Sequence, residues 1–358
     1  MNTLLLAPEL FATDGGIARI LRLYLKALCE LTEPAGNVSV VSLNDATFDS
    51  RELRRYSNTR LTDWAACDRS KIAFVKAARR MSANADLIVC GHVAQLPVAW
   101  AMRKLRRKKI NYALIAHGIE VWRRFNRLEI AALRGADRIW CVSEFTRREL
   151  LRNCRVPLAT TVVLPNALDP NLDNDELGPT TTDFDILTIS RLSHADSYKG
   201  VDHLIEALPA IRREIPAARL RIVGRGDDLP RLHETVKRHK LGRAVDFLGF
   251  VSDTELKREL AACRLFALPS QKEGFGLVFL EAMAHGKPCI GTRDGGIPEV
   301  ITPETGLLVN YGNVPELAAS CIDALRRIWE PRAIRARSAK FSYPIFRDGL
   351  ATLIPISV

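Results

Sequence analysis

Two glutamates, Glu273 and Glu281, stand eight positions apart in "QKEGFGLVFLEAMAHGKPCIG", with Gly274 and Gly276 between them. The preceding "LFALPS" reads as a strand, "QKEGFG" as a turn and "LVFLEAMAHG" as a helix closed by Gly286. The first N–H groups of a helix have no intrahelical partner, so those of Phe275, Gly276 and Leu277 are open to an anionic or hydroxylated ligand. Glu273, in the turn, is placed to accept hydrogen bonds from sugar hydroxyls. Glu281, about one and a half turns into the helix, suits a vicinal diol such as a ribose offers. A carboxylate seldom buries without a partner, and "VFLEAMA" surrounds this one with apolar residues.

Further candidates also follow apolar runs. In "ILTISRLSHADSYKGVDHLIEAL", Arg191 lies just past a strand, and Lys199 and Gly200 precede an amphipathic helix. Two such cations clamp a diphosphate and stabilise the charge it gains on leaving. In "ELFATDGGIARI", Gly15 and Gly16 open a helix, where small residues let backbone N–H groups approach a phosphate. His117 in "ALIAHGIEVW" follows a strand and is placed to donate to a substrate hydroxyl or carbonyl, with Glu120 a secondary candidate. Gly224 and Arg225 of "VGRGDD" form a strand-end loop with a GxG pattern, expected beside a nucleotide base. The acid pairs Asp173 with Asp175 and Asp183 with Asp185 have metal-ligand spacing, but they sit in or beside a linker and read as turn and cap residues.

These residues need parallel sheets to position them. Short apolar runs ("TLLLA", "VSVVSL", "ADLIVCG", "NYALIAHG", "RIWCVS", "TVVLPN", then "FDILTIS", "LRIVG", "VDFLG", "LFALPS", "KPCIGT", "TGLLV") alternate with amphipathic stretches. That alternation predicts α/β architecture, with sheets covered by helices on both faces. The segment from Pro165, rich in Pro, Asn, Asp and Thr, reads as a linker between two doubly wound domains. The expected division is residues 1–168, residues 169–335, and a tail of 336–358 that packs back on the first domain. Ligands of such sheets bind at the carboxyl ends of the strands, where the candidate residues lie.

Composition bounds the chemistry further. The 358 residues suit two domains, and 47% hydrophobic with 26% charged residues is a globular balance. No apolar run approaches the ~20 residues of a membrane span, and "MNTLLLAPEL" reads as a first strand rather than a signal peptide. The eight cysteines have no zinc spacing and sit mostly in apolar contexts, which predicts buried, reduced thiols in a cytoplasmic protein. The net charge is +11, and residues 101–155 hold 15 Lys/Arg against five Asp/Glu, a net +10. Such a face attracts phosphates, and an anionic membrane surface fits it better than nucleic acid, for which there is no recognition motif.

Glu273-x7-Glu281 within "EGFGLVFLEAMAHGKPCIGTRDGGIPEVI", together with "SRL…YKGVD", "AHGIE" and the first "DGG", resembles the retaining glycosyltransferases of family 4. The likeness covers nearly the whole chain and is strongest over residues 187–309. It implies the GT-B fold, two Rossmann-like domains facing across a cleft, with the donor nucleotide sugar on the second. It also implies roles: Gly15 and Gly16 bordering the diphosphate, His117 near the transferred sugar, and Arg191 and Lys199 on the diphosphate. Glu273 and the amides from Gly274 to Leu277 would take sugar hydroxyls and phosphate, and Glu281 the ribose. The family commonly spaces the Arg and Lys five apart, whereas here "SHADSY" makes the spacing eight.

The expected reaction moves a hexose from a nucleoside diphosphate sugar of GDP-mannose or UDP-glucose type to an acceptor hydroxyl, with retention. The expected mechanism is front-face and needs no cofactor or metal. The basic segment suits a lipid-linked glycan of polysaccharide or cell-envelope biosynthesis, reached by a protein peripheral to the inner face of a bacterial cytoplasmic membrane. A soluble small-molecule acceptor, a non-catalytic nucleotide-sugar or polyanion-binding protein, and an epimerase on the same fold stay open.

Overall fold

Nearly continuous apolar strands bury on both faces only when helices cover both sides of a parallel sheet, and the chain builds this arrangement twice. The computed structural model describes residues 1–13, 15–106, 110–171 and 184–354. Asp173, Asp175 and Asp183, and Arg107 to Lys109 of the basic run, lie outside the described residues.

The first unit comprises Met1–Asp169 and Tyr343–Val358, the second Pro170–Ser342. Along the first run β1 (Thr3–Ala7), α1 (Gly16–Leu31), β2 (Val38–Ser42), α2 (Ser50–Arg55), β3 (Leu61–Ala66) and α3 (Lys71–Ser82). There follow β4 (Leu87–Cys90), α4 (Leu96–Leu105), β5 (Asn111–Ala116), α5 (Arg127–Gly135), β6 (Arg138–Cys141), α6 (Glu144–Asn153) and β7 (Thr161–Val163). The strands pair in parallel in the order β3-β2-β1-β4-β5-β6-β7. Order reverses between β1 and β4, so the loops after these strands diverge to opposite faces and open a crevice at the carboxyl edge.

The second unit runs β8 (Asp185–Ile189), α7 (Val201–Glu214), β9 (Arg219–Val223), α8 (Leu229–Arg238), β10 (Val245–Gly249), α9 (Asp253–Ala262) and β11 (Leu265–Ala267). It continues through α10 (Leu277–Ala284), β12 (Cys289–Thr292), α11 (Ile297–Val300), β13 (Gly306–Val309), α12 (Val314–Arg326) and α13 (Pro331–Ala339). Its sheet has the order β10-β9-β8-β11-β12-β13, again parallel, with the switch between β8 and β11.

Every strand read from the sequence is present, and the sequence reading omits one, β3. It is an edge strand with few large apolar residues, carrying Trp64 half exposed and Asp63 paired with Arg80. Such a strand lacks the uninterrupted apolar run that marks its neighbours. The last helix, α14 (Tyr343–Leu353), belongs to the first unit's core. There Phe346 meets Tyr24 edge-on at 4.8 Å, and Tyr343 Oη donates to Glu30 at 2.8 Å. All eight cysteines are buried. No described helix is long and apolar enough to cross a membrane.

Candidate active site

The second unit's switch point brings the strongest candidates together. Arg191 and Lys199 lie in the loop after β8, and Glu273 lies in the loop after the adjacent β11. Lys199 Nζ sits 2.5 Å from Glu273 Oε2, with the two side chains only 16% and 18% exposed. The ammonium uses one of its three donors on Glu273 and the carboxylate keeps Oε1 free of it, so the pair still presents a cation and an acceptor. Gln271 N donates to Tyr198 O at 2.8 Å, a second tie between the same two loops.

Gly276 caps α10 with φ +93°, and a Cβ there would meet the Phe279 ring at 2.6 Å. The turn therefore needs glycine at this position. Leu277 begins the helix, so the N–H groups at this end point outward from it as the sequence predicts. Phe275 is buried against Phe341 and is a packing residue as well as an amide donor. Gly274 is buried in the turn. Glu281 is 7% exposed on α10, among apolar neighbours.

Residues the sequence reading passed over complete this turn. Gly296 N donates to Glu273 O at 2.8 Å, and Gly295, at φ +66°, lies so close that a Cβ would meet Glu273 O at 2.3 Å. The loop after β12 is thus a floor for the Glu273 turn. The only sequence signal is a second Asp-Gly-Gly, Asp294 to Gly296, again following a strand. Gly224 and Arg225 follow β9 and lie against the Arg191 loop: Leu192 N donates to Arg225 O at 3.0 Å. The Arg225 guanidinium stacks 4.8 Å from the exposed Phe250 ring. Asp185 starts β8 near Arg221, and the described residues contain no cluster of three or more metal-ligand side chains.

In the first unit, Gly15 caps α1 after β1 and Gly16 opens the helix. A buried carboxylate 35 residues after Leu10 braces the loop between β1 and α1: Asp45 accepts from Leu10 N at 2.7 Å and Phe11 N at 2.9 Å, and from the Ser42 hydroxyl. His117 follows β5, and its hydrogen bonding favours accepting from a substrate hydroxyl over donating to one. Nε2–H donates to Gly91 O at 2.8 Å, so the neutral ring offers Nδ1 as an acceptor, and this atom has no partner among the described residues. Burial pulls the imidazole down to about 4, which keeps it neutral. Glu120 lies in the same loop. Its Oε1 accepts from His117 N at 2.5 Å and Gly118 N at 3.1 Å, so it holds the loop that carries the histidine. Burial raises its carboxyl above the ordinary range.

The unfolded histidine titrates near 6.5 while the folded ring titrates at about 4, so His117 costs stability progressively as pH falls between those values. Nitrogen-resolved NMR of the ring should report the neutral Nε2–H tautomer until the solution nears about pH 4. His117→Gln should lose part of the fall in urea midpoint between neutral pH and about pH 5. A ring titrating near its ordinary value contradicts this placement.

Residues 15–172 match the Glycosyltransferase Family 4 domain, and residues 183–327 match the Glycosyl transferases group 1 domain. A GDP-mannose-dependent alpha-(1-6)-phosphatidylinositol monomannoside mannosyltransferase of Mycobacterium tuberculosis is 31% identical over 270 residues, 69% of each chain. A GDP-mannose-dependent monoacylated alpha-(1-6)-phosphatidylinositol monomannoside mannosyltransferase of Corynebacterium glutamicum is 35% identical over 200 residues. That match takes in 52% of this chain and only about half of the relative, 51%. Among solved structures, Anabaena Alr3699/HepE with UDP and glucose superposes with a TM-score of 0.78 at 21% identity, over 98% of both chains. Sucrose-phosphate synthase from Thermosynechococcus elongatus gives 0.77 at 21% identity, over 99% of this chain and 98% of that one. The fold is GT-B, and this chain belongs to glycosyltransferase family 4.

Proposed function

We propose that this protein transfers a hexose from a nucleoside diphosphate sugar to a hydroxyl of a lipid-linked acceptor, with retention and without a metal. The observation that carries this reading is the Lys199–Glu273 pair, which joins a diphosphate-binding cation to a sugar-binding carboxylate across two adjacent strand ends. GDP-mannose is the first donor to test, because the two mannosyltransferase relatives are named for it. Glu281 takes the ribose diol, and the amides at the start of α10 take phosphate and sugar oxygens. Arg191 and Lys199 hold the diphosphate and offset the charge it gains as the bond from its oxygen to the anomeric carbon breaks. The acceptor oxygen bonds to that carbon on the same face, and its proton passes to the departing phosphate. His117 Nδ1 accepts a hydrogen bond from a hydroxyl and stays unprotonated.

The lipid acceptor is supported by the phosphatidylinositol mannoside names of the same relatives and by the basic first unit. Within this reading, the surface that meets the membrane is the start of α3 rather than the end of α4. Arg103, Lys104 and Leu105 end α4 just before β5, hence at the amino edge of the sheet, away from His117. Lys71, Ile72, Val75 and Lys76 begin α3 just after β3, at the carboxyl edge that carries His117 and Gly15. Ile72 is 71% and Val75 41% exposed, an apolar tip flanked by cations, which suits a bilayer interface. An anionic membrane met by the start of α3 brings a lipid-borne hydroxyl to the correct edge.

Thermal shift with GDP, UDP, ADP, dTDP and their common sugar conjugates tests the donor reading. One nucleotide should stabilise the wild type by roughly 2.7 kcal/mol at ~100 times its Kd, with EDTA present, and should not stabilise Glu281→Ala. No shift with any nucleotide, or a shift and turnover that vanish in EDTA and return with magnesium or manganese, contradicts it. Flotation with phosphatidylglycerol vesicles at low salt tests the surface. Ile72→Glu with Val75→Glu should weaken binding more than about fivefold, and more than Arg103→Glu with Lys104→Glu. Equal or opposite ranking removes the α3 assignment.

A further inference from the structure

Eight positions separate Arg191 from Lys199, and the residues that fill this loop make one buried centre. The segment His194–Lys199 is a 3-10 helix, and Asp196 is its one buried carboxylate, with a side chain 10% exposed. Three donors converge on it: Arg191 Nη2 at 2.9 Å and Tyr198 Oη at 2.9 Å on Oδ1, and Ser193 Oγ at 2.9 Å on Oδ2. Two of the three are neutral hydroxyls from its own loop, so Arg191 is the cation that compensates the carboxylate. The neighbouring cation, Arg231, is already engaged by Asp228 at 2.6 Å and Asp202 at 2.8 Å.

Arg191 itself is 70% exposed. A long side chain with that freedom spreads over many rotamers, and ordering it on a ligand costs entropy. Asp196 removes part of that cost by fixing one end of the guanidinium. Nη2 makes its bond to Asp196, and Nε and Nη1 stay available for an anion. Tyr198 carries the same restraint to the other cation. Its hydroxyl is on Asp196, its carbonyl accepts from Gln271 N, and its ring lies 5.5 Å from Lys199 Nζ.

We propose that Asp196 is a positioning residue for the diphosphate clamp: it sets Arg191 and, through Tyr198, Lys199 at the spacing of a nucleoside diphosphate. The loop is then a built-in brace. Asp196 touches neither phosphate nor sugar. The inference rests on the nucleotide-sugar reading above.

The test is calorimetric titration of the full chain with GDP, GMP, UDP and UMP, using wild type, Asp196→Asn, Arg191→Ala and their double variant. Wild type should prefer one diphosphate over its monophosphate. Asp196→Asn should weaken that diphosphate about tenfold and leave the monophosphate unchanged, so that the preference shrinks. Asp196→Asn should cost clearly less in the Arg191→Ala background than in the wild type, because the main part of its effect runs through Arg191 and only the remainder reaches Lys199 through Tyr198. Tyr198→Phe removes one donor from the carboxylate and should move the preference the same way by about threefold; it decides the matter if Asp196→Asn melts early. Equal losses of diphosphate and monophosphate, an unchanged preference, or losses that add to those of Arg191→Ala would overturn the proposal. Wild type that binds none of the four nucleotides overturns the nucleotide-sugar reading itself, and this inference with it.

Discussion

A carboxylate beside a diphosphate is an electrostatic liability unless a cation stands with it, and the site is organised around that constraint. Lys199 and Glu273 form an ion pair that is partly shielded from water, so separating the two loops strands a part-buried charge. Removing one partner of such a pair costs more than breaking a fully exposed one, which is worth about 0–1 kcal/mol. The pair thus locks the loop after β8 to the loop after β11 across the topological switch of the second sheet. Under the proposed function, every other group that addresses the donor is referenced to that lock. The glycine turn starts at Glu273, α10 starts at Leu277, and Glu281 follows at a distance set by helix geometry alone.

The two units share one architecture but carry different groups at the carboxyl edges of their sheets. In the second, charges are paired and the helix start is glycine-capped, which suits a polyanion with hydroxyls. In the first, the His117 imidazole at the carboxyl edge is held neutral. His117 is desolvated and bound through Nε2–H to a backbone carbonyl, and burial raises the carboxyl of Glu120. An uncharged acceptor atom at a buried edge suits a hydroxyl better than a phosphate.

Much of this was legible in the sequence because it depends on short-range pattern. The apolar runs locate the strands, and Glu273, Gly276 and Glu281 fall within one turn and one helix. What the sequence hides is long-range or lacks a pattern. Asp45 braces the β1 loop from 35 residues away, and nothing near it marks that partner. His117 follows a strand in both sequence and structure, but its tautomer depends on Gly91, 26 residues earlier. Asp196 sits in a loop noticed only for its length, since convergence of Arg191, Ser193 and Tyr198 on one carboxylate is a property of the folded turn. β3 escaped because an edge strand need not be apolar throughout.

The central claim is that Lys199 and Glu273 act on the donor as one unit. A double-mutant cycle tests it most directly, with Lys199→Met, Glu273→Gln and the combination titrated calorimetrically with the nucleotide sugar that stabilises the wild type. The account predicts strongly non-additive losses, with an interaction of about 1 kcal/mol or more. Losses that add within about 0.5 kcal/mol would mean the two residues meet the donor independently, contradicting it.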